Sequence, residues 1–172
     1  MVSVFYSMIL VRFQSGIIDA LNAEISLGTV SNIRDAVQWL GYTYLFVRMR
    51  MNPFVYGQHF YFFLNALGSN TYSGIARDSV VDDPQLGGKR NELVNLAARK
   101  LAETKMITFE NQHGQLYATD LGRVAAKYYI RYGSMEIFTE EFRPKMSEAD
   151  VLGMLCKSTE ARSSHRMVVM FD

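Results

Sequence analysis

A mainly α-helical architecture is what this sequence predicts: three helices and a β-hairpin, followed by the first helices of a second, truncated helical unit. Three observations carry that reading. Apolar residues recur at spacings of three and four in Ile17–Ile25, Ile33–Met51 and Lys89–Thr104, which places them on one helical face. Met106–Ala118 alternates instead, with turn residues in its middle, as a hairpin does. Beyond it, helical spacing and capping residues return. Helix, helix, helix, hairpin is the order of a winged helix.

The elements follow in turn. Ile17, Ala20, Leu21, Glu24 and Ile25 form a short helix that Gly28 stops, since glycine takes the left-handed C-cap without steric cost. Thr29 and Val30 favour β-structure and are expected to add a short strand. Asn32 is an N-cap, with Asp35 favoured by the positive helix end. From there a single long helix is expected to run to Pro53, with Ile33, Val37, Leu40, Tyr44, Val47 and Met51 inward. Trp39 and Phe46 widen its stripe. Proline ends it for want of an N–H. Phe54–Gly88, with an aromatic run at Phe60–Phe63 and an acidic turn at Asp82-Asp83-Pro84, is too long for an ordinary loop and reads as an insertion. Lys89–Thr104 buries Leu93, Leu96, Ala97 and Leu101. In the hairpin, Ile107 and Phe109 share a face, and Asn111-Gln112-His113-Gly114 makes the turn.

Thr119 caps a helix over Asp120–Arg131, with Leu121, Val124, Ala125 and Tyr128 inward and Gly133 after its end. Tyr128, Tyr129 and Tyr132 read as packing residues rather than a base-stacking platform. Ser134 opens a short helix to Phe142, and Ser147 with Asp150 starts another over Val151–Lys157 in the manner of a capping box. The expected organisation is a tail over 1–16, a winged helix over 17–118 with an inserted loop at about 58–88, the start of a helical bundle over 119–160, and a tail over 161–172.

Composition narrows function. Hydrophobic residues make up 49% and charged ones 20%, enough for a packed core. The net charge of +1, from 18 Lys+Arg against 17 Asp+Glu, is small for a domain holding nucleic acid alone. Cys156 has no second cysteine to pair with, and His59, His113 and His165 lie at no metal-ligand spacing. No G-x-x-x-x-G-K-[ST] phosphate loop or DExH-like motif occurs; Gly87-Gly88-Lys89 is a turn before a helix. No catalytic or metal-binding residue is expected, and no cofactor. Val2–Val11 is too short to span a bilayer and Phe54–Leu67 is interrupted by Gln58, His59 and Asn65, so no membrane role is expected. The candidate nucleic-acid contacts are Arg48 and Arg50 at a helix C-terminus and Lys89, Arg90, Arg99 and Lys100 on the third helix, where a helix-turn-helix places its recognition element. The dipole alone also favours the first two. Glu92 and Glu103 dilute the second group, and the wing carries Glu110 with no Lys or Arg.

Several strings resemble the superkiller-like DExH-box helicases of superfamily two, in particular the large two-cassette members. They are LNAEISLGTV at Leu21–Val30, WLGYTYLFVRMRMNPFVYG at Trp39–Gly57, DDPQL at Asp82–Leu86, TDLGRVAAKYYI at Thr119–Ile130 and SEADVLGMLCKSTE at Ser147–Glu160. The resemblance covers most of residues 17–160. It implies a winged helix whose partners are the RecA-like domains of a parent helicase and an RNA or DNA strand, closing the ring around that strand. The TDLGR helix would open the bundle that leads to a ratchet helix. ATP and Mg²⁺ belong to the parent's motor, which translocates 3′ to 5′; the implied location is nuclear, with the cytoplasm second. This chain departs from the family in lacking the motor, in the stretch Gln58–Gly74, and at 1–15 and 161–172. A non-catalytic helicase piece from a truncated or misassembled gene is the expectation, and a transcript reading continuously through Gln58–Gly74 would sink the misassembly. A stand-alone winged-helix DNA-binding regulator and a protein-binding scaffold are the alternatives.

Overall fold

The computed structural model describes residues 16–51, 86–110 and 112–161. The expected insertion up to residue 85, the Pro53 stop and most of both tails lie outside them. Helix α1 spans residues 16–27 and buries Ile17, Ile18, Leu21 and Ile25 on one face. Gly28 closes it at φ 78°, and the Thr29 N–H returns to the Glu24 carbonyl at 3.0 Å. That bond satisfies a carbonyl the helix end would orphan. The expected strand at Thr29–Val30 is smaller: Asn32 forms an isolated bridge with Gln115, and the Leu116 N–H bonds to the Ser31 carbonyl at 2.8 Å.

Helix α2, Ile33–Gly41, begins as its sequence requires. The Asn32 Oδ1 accepts from the Asp35 N–H at 2.9 Å, while Ser31 Oγ and Asn32 Nδ2 donate to Asp35 Oδ2 at 2.9 and 2.8 Å. Substituting Asn32→Ala removes that cap and the bond to Asp35; we expect a loss of about 1 kcal/mol in urea unfolding, with an unchanged m value.

The single long helix is a correction. The chain breaks at Tyr42–Thr43 and resumes as α3, Tyr44–Met51. Thr43 serves both ends, its Oγ1 donating to the Leu40 carbonyl at 2.7 Å and accepting from the Phe46 N–H at 3.4 Å. A side-chain hydroxyl competing for backbone partners beside a glycine weakens helix continuity here. The inward face shifts with the break: Ala36 and Leu40 are buried in α2, then Phe46 and Met49 in α3, leaving Tyr44, Val47 and Met51 exposed.

Helix α4, Gly87–Glu103, starts from Leu86 at φ 48° and buries Leu93, Val94, Ala97, Ala98 and Leu101. Gly87, Gly88 and Lys89 lie in its first turn rather than in a turn before it. It packs against α2 and leads into β1, Ile107–Glu110, and β2, Gln115–Ala118, paired antiparallel with Ile107 opposite Ala118 and Glu110 opposite Gln115. Ile107 and Leu116 are buried and Phe109 packs on the core, the alternation the sequence predicts. Gly114 takes φ 65° in the turn.

Helix α5, Asp120–Tyr128, is capped by Thr119, whose Oγ1 accepts from the Gly122 N–H at 3.2 Å. It ends earlier than expected, at Tyr129 with φ 56°. Its inward face also differs. Gly122 and Ala125 are buried, whereas Leu121, Val124 and Tyr128 are 43%, 45% and 65% exposed. The small residues face inward because Gly122 lies against the Met106 carbonyl. Of the three tyrosines expected to pack, only Tyr132 reaches the core; Tyr128 and Tyr129 are exposed. Helix α6, Tyr132–Glu141, starts before Ser134, which is buried within it, and Gly133 sits in its first turn. Helix α7, Glu148–Lys157, carries both bonds of the Ser147–Asp150 capping box and packs on α6. A mainly α fold, with winged-helix order followed by the first helices of a bundle, is what these elements make.

Candidate nucleic-acid interface

The six candidate cations occupy two helices. Arg48 lies over the Tyr44 ring, 4.9 Å from its centroid, in the last turn of α3, where Arg50 is exposed. On α4, Lys89 pairs with Glu92 at 3.7 Å and Lys100 with Glu103 at 2.9 Å, while Arg99 is exposed. The hydrogen bond to Glu103 raises the Lys100 pKa although burial opposes it, which favours the charged ammonium.

Arg90 is the exception. Its Nη1 donates to the Val37 carbonyl of α2 at 3.0 Å, and its guanidinium carbon lies 4.9 Å from the Phe46 ring centroid of α3. Its Nε is buried without a hydrogen-bond partner. One side chain from α4 thus holds both halves of the broken helix, a role its sequence neighbours Lys89 and Asn91 give no hint of.

The wing offers little to a phosphate backbone. Its exposed described positions are Thr108, Glu110, Gln112, His113 and Tyr117, and His113 Nδ1 lies 3.6 Å from Glu110 Oε1. Between α1 and the α2–α3 break is an apolar groove of about 350 Å³, lined by Gly16, Ile17, Ala20, Trp39, Leu40, Thr43 and Leu45. It holds no titratable side chain and suits packing rather than chemistry. Among the described residues there is no group of three His, Cys, Asp or Glu arranged to hold a metal. No described helix is long and apolar enough to cross a membrane.

A polar cluster that local spacing does not reveal gathers at the start of α6. Asp19 Oδ1 accepts from the Tyr132 N–H at 2.7 Å, and Glu160 Oε1 accepts from the Arg131 N–H at 2.8 Å. Ser134 Oγ donates to Glu160 Oε2 and accepts from the Thr159 N–H at 2.9 Å. Arg131, the N-cap, supplies no side-chain bond of its own. Two carboxylates distant in the chain therefore satisfy two backbone N–H groups that the helix start leaves without an intrahelical acceptor.

A family model described as a winged helix-turn-helix domain matches residues 11–111, and one described as a Sec63 Brl domain matches residues 118–163. The chain belongs to the winged helix-turn-helix family of superkiller-like DExH-box helicases. This winged helix with its following helices is 43% identical over 149 residues to the RQC trigger complex helicase SLH1 of Saccharomyces cerevisiae. It is 44% identical over 149 residues to activating signal cointegrator 1 complex subunit 3 of Danio rerio. To the DExH-box ATP-dependent RNA helicase DExH14 of Arabidopsis thaliana it is 40% identical over 149 residues. Each alignment takes in 87% of this chain but only 7%, 9% and 6% of the respective relative. The winged helix and its following helices thus span less than a tenth of those proteins.

Proposed function

We propose that this chain is a non-catalytic segment of an ATP-dependent 3′–5′ nucleic-acid helicase. In this reading residues 17–118 form the winged helix, which braces the RecA-like motor domains and closes the channel around an RNA or DNA strand. Residues 119–160 begin the helical bundle. The observation that carries it is the likeness at 40–44% identity, which takes in 87% of this chain and under a tenth of each helicase. Supporting it are large apolar side chains on the surface, among them Tyr44 at 66%, Met51 at 73% and Leu152 at 62% exposed. Such surface suits elements that a larger protein covers. ATP and Mg²⁺ belong to the motor, and the chain itself needs neither. Arg48, Arg50, Lys89, Arg99 and Lys100 supply strand contacts within the assembled channel, in the nucleus and secondarily in the cytoplasm. Arg90 serves them from behind by fixing α3 against α4.

The purified chain is the test. It should hydrolyse no ATP above background. Fluorescence anisotropy with a single-stranded RNA should show weak binding that falls on the order of tenfold between 50 and 200 mM salt, as the neutralisation of about three phosphates predicts. ATP turnover, or tight sequence-specific binding to duplex DNA that far exceeds non-specific binding, would overturn the reading.

A further inference from the structure

Helix α5 turns a mixed face to the surface. At about 100° per residue, Arg123, Lys127, Asp120, Val124, Tyr128 and Leu121 follow one another around about 160° of its circumference. All six are exposed, while Gly122 and Ala125 take the buried side. Arg123 and Lys127 make one row, and the apolar side chains make the next. The surface continues past the helix end, where Tyr129 is 90% exposed and Arg131 is exposed as well.

Two features separate this face from a plain apolar patch. Tyr129 holds φ 56° and ψ 34°, the left-handed region in which glycine ends a helix without steric cost. A tyrosine there bears backbone strain and leaves its ring in water, so neither capping nor packing accounts for it. The second feature is charge. Neither Lys127 nor Arg131 enters an ion pair among the described residues. Asp19 and Glu160, the carboxylates near Arg131, accept from the Tyr132 and Arg131 N–H groups. Arg123 donates to the Ala118 carbonyl at 3.0 Å and stands 4.0 Å from Asp120, the one acid on the arc. Lys127 Nζ lies 5.7 Å from the Tyr128 ring centroid, which puts cation and ring side by side. On α4, by contrast, Lys89 and Lys100 are paired with Glu92 and Glu103.

A single nucleic-acid strand carries phosphates along one edge and unpaired bases along the other, which is the pattern of these two rows. We infer that the exposed arc of α5, with Tyr129 and Arg131, binds single-stranded nucleic acid. Bases stack on Tyr128 and Tyr129, and phosphates meet Arg123, Lys127 and Arg131. A duplex keeps its bases stacked on one another and offers the tyrosines no free face. This surface uses none of the α3 and α4 cations, and its binding does not depend on a helicase motor.

Fluorescence anisotropy with the full chain at 50 mM salt tests this, using a labelled RNA strand of about twelve mixed-sequence nucleotides. The same strand annealed to its complement and a DNA strand of the same sequence are titrated alongside. Either single strand should bind more tightly than the duplex, and the tighter of the two identifies the source. Tyr129→Gly should weaken single-strand binding about fivefold or more, yet raise the urea midpoint because glycine relieves the left-handed residue. A purely structural tyrosine would move both in the same direction. Tyr128→Ala should weaken binding by a similar factor. Lys127→Ala should lower the slope of log affinity against log salt by about 0.7, the loss of one single-strand phosphate. A duplex that binds more tightly than its own single strand overturns the proposal, as does single-strand binding that is absent or is unchanged in both tyrosine variants. Binding that falls only with Arg48→Ala or Arg50→Ala removes this face and leaves the helicase reading standing.

Discussion

Replacing Gly122 with alanine is expected to lower stability by about 3 kcal/mol, the upper part of the usual range for overpacking. A Cβ on this residue would run into the Met106 carbonyl and stand 2.9 Å from Asn22 Oδ1. Neither obstacle can step aside easily. The Met106 carbonyl accepts from the Thr119 N–H at 3.0 Å and from Thr119 Oγ1 at 2.8 Å. Asn22 is 2% exposed, with its Nδ2 donating to the Gly122 carbonyl at 2.9 Å. The methyl would push α5 away from both the hairpin and α1, breaking the Thr119 cap geometry as well. Gly153→Ala in α7 is the natural comparison, because nothing lies within 4 Å of its added Cβ. It should stabilise by about 0.5–1 kcal/mol through helix propensity alone. Urea unfolding of both variants would separate the effects; equal stabilities would mean that α5 does not rest on the Met106 carbonyl.

Gly122 also marks where sequence reasoning stops. Local chemistry is legible: Asn32, Thr119 and Ser147 each cap the helix expected of them, and Glu110 pairs with Gln115 across the expected turn. These devices act within a few residues, so spacing reveals them. The inward face of α5 was misread because periodicity ranks large apolar residues above a glycine, while the real contact is a close backbone approach that only a small residue permits. The start of α6 was misplaced for a related reason. Its caps, Asp19 and Glu160, lie 113 and 29 residues from the amides they accept. Charge and position singled out Arg90, but its guanidinium turns inward to Val37 and Phe46, a commitment made by packing rather than by charge.

The broken helix supplies the second large effect, because the two registers predict different costs along it. Leu40 is fully buried at 0% exposure and belongs to the core shared by α2 and α4. Leu40→Ala should cost about 3 kcal/mol, from lost transfer energy and a residual cavity beside the Arg90 clamp. Tyr44 lies four residues on and would share that face if the helix ran straight, yet it is 66% exposed. Tyr44→Ala should therefore cost less than about 1 kcal/mol, mostly the loss of the Arg48 contact over its ring. Phe46→Ala should resemble Leu40→Ala, since Phe46 is 6% exposed and receives the Arg90 guanidinium on its face. A large cost at Tyr44 with a small one at Phe46 would restore the continuous helix. The order Leu40 and Phe46 far above Tyr44 is what a break at Tyr42–Thr43 requires, because it turns Phe46 inward beneath the Arg90 guanidinium and Tyr44 outward.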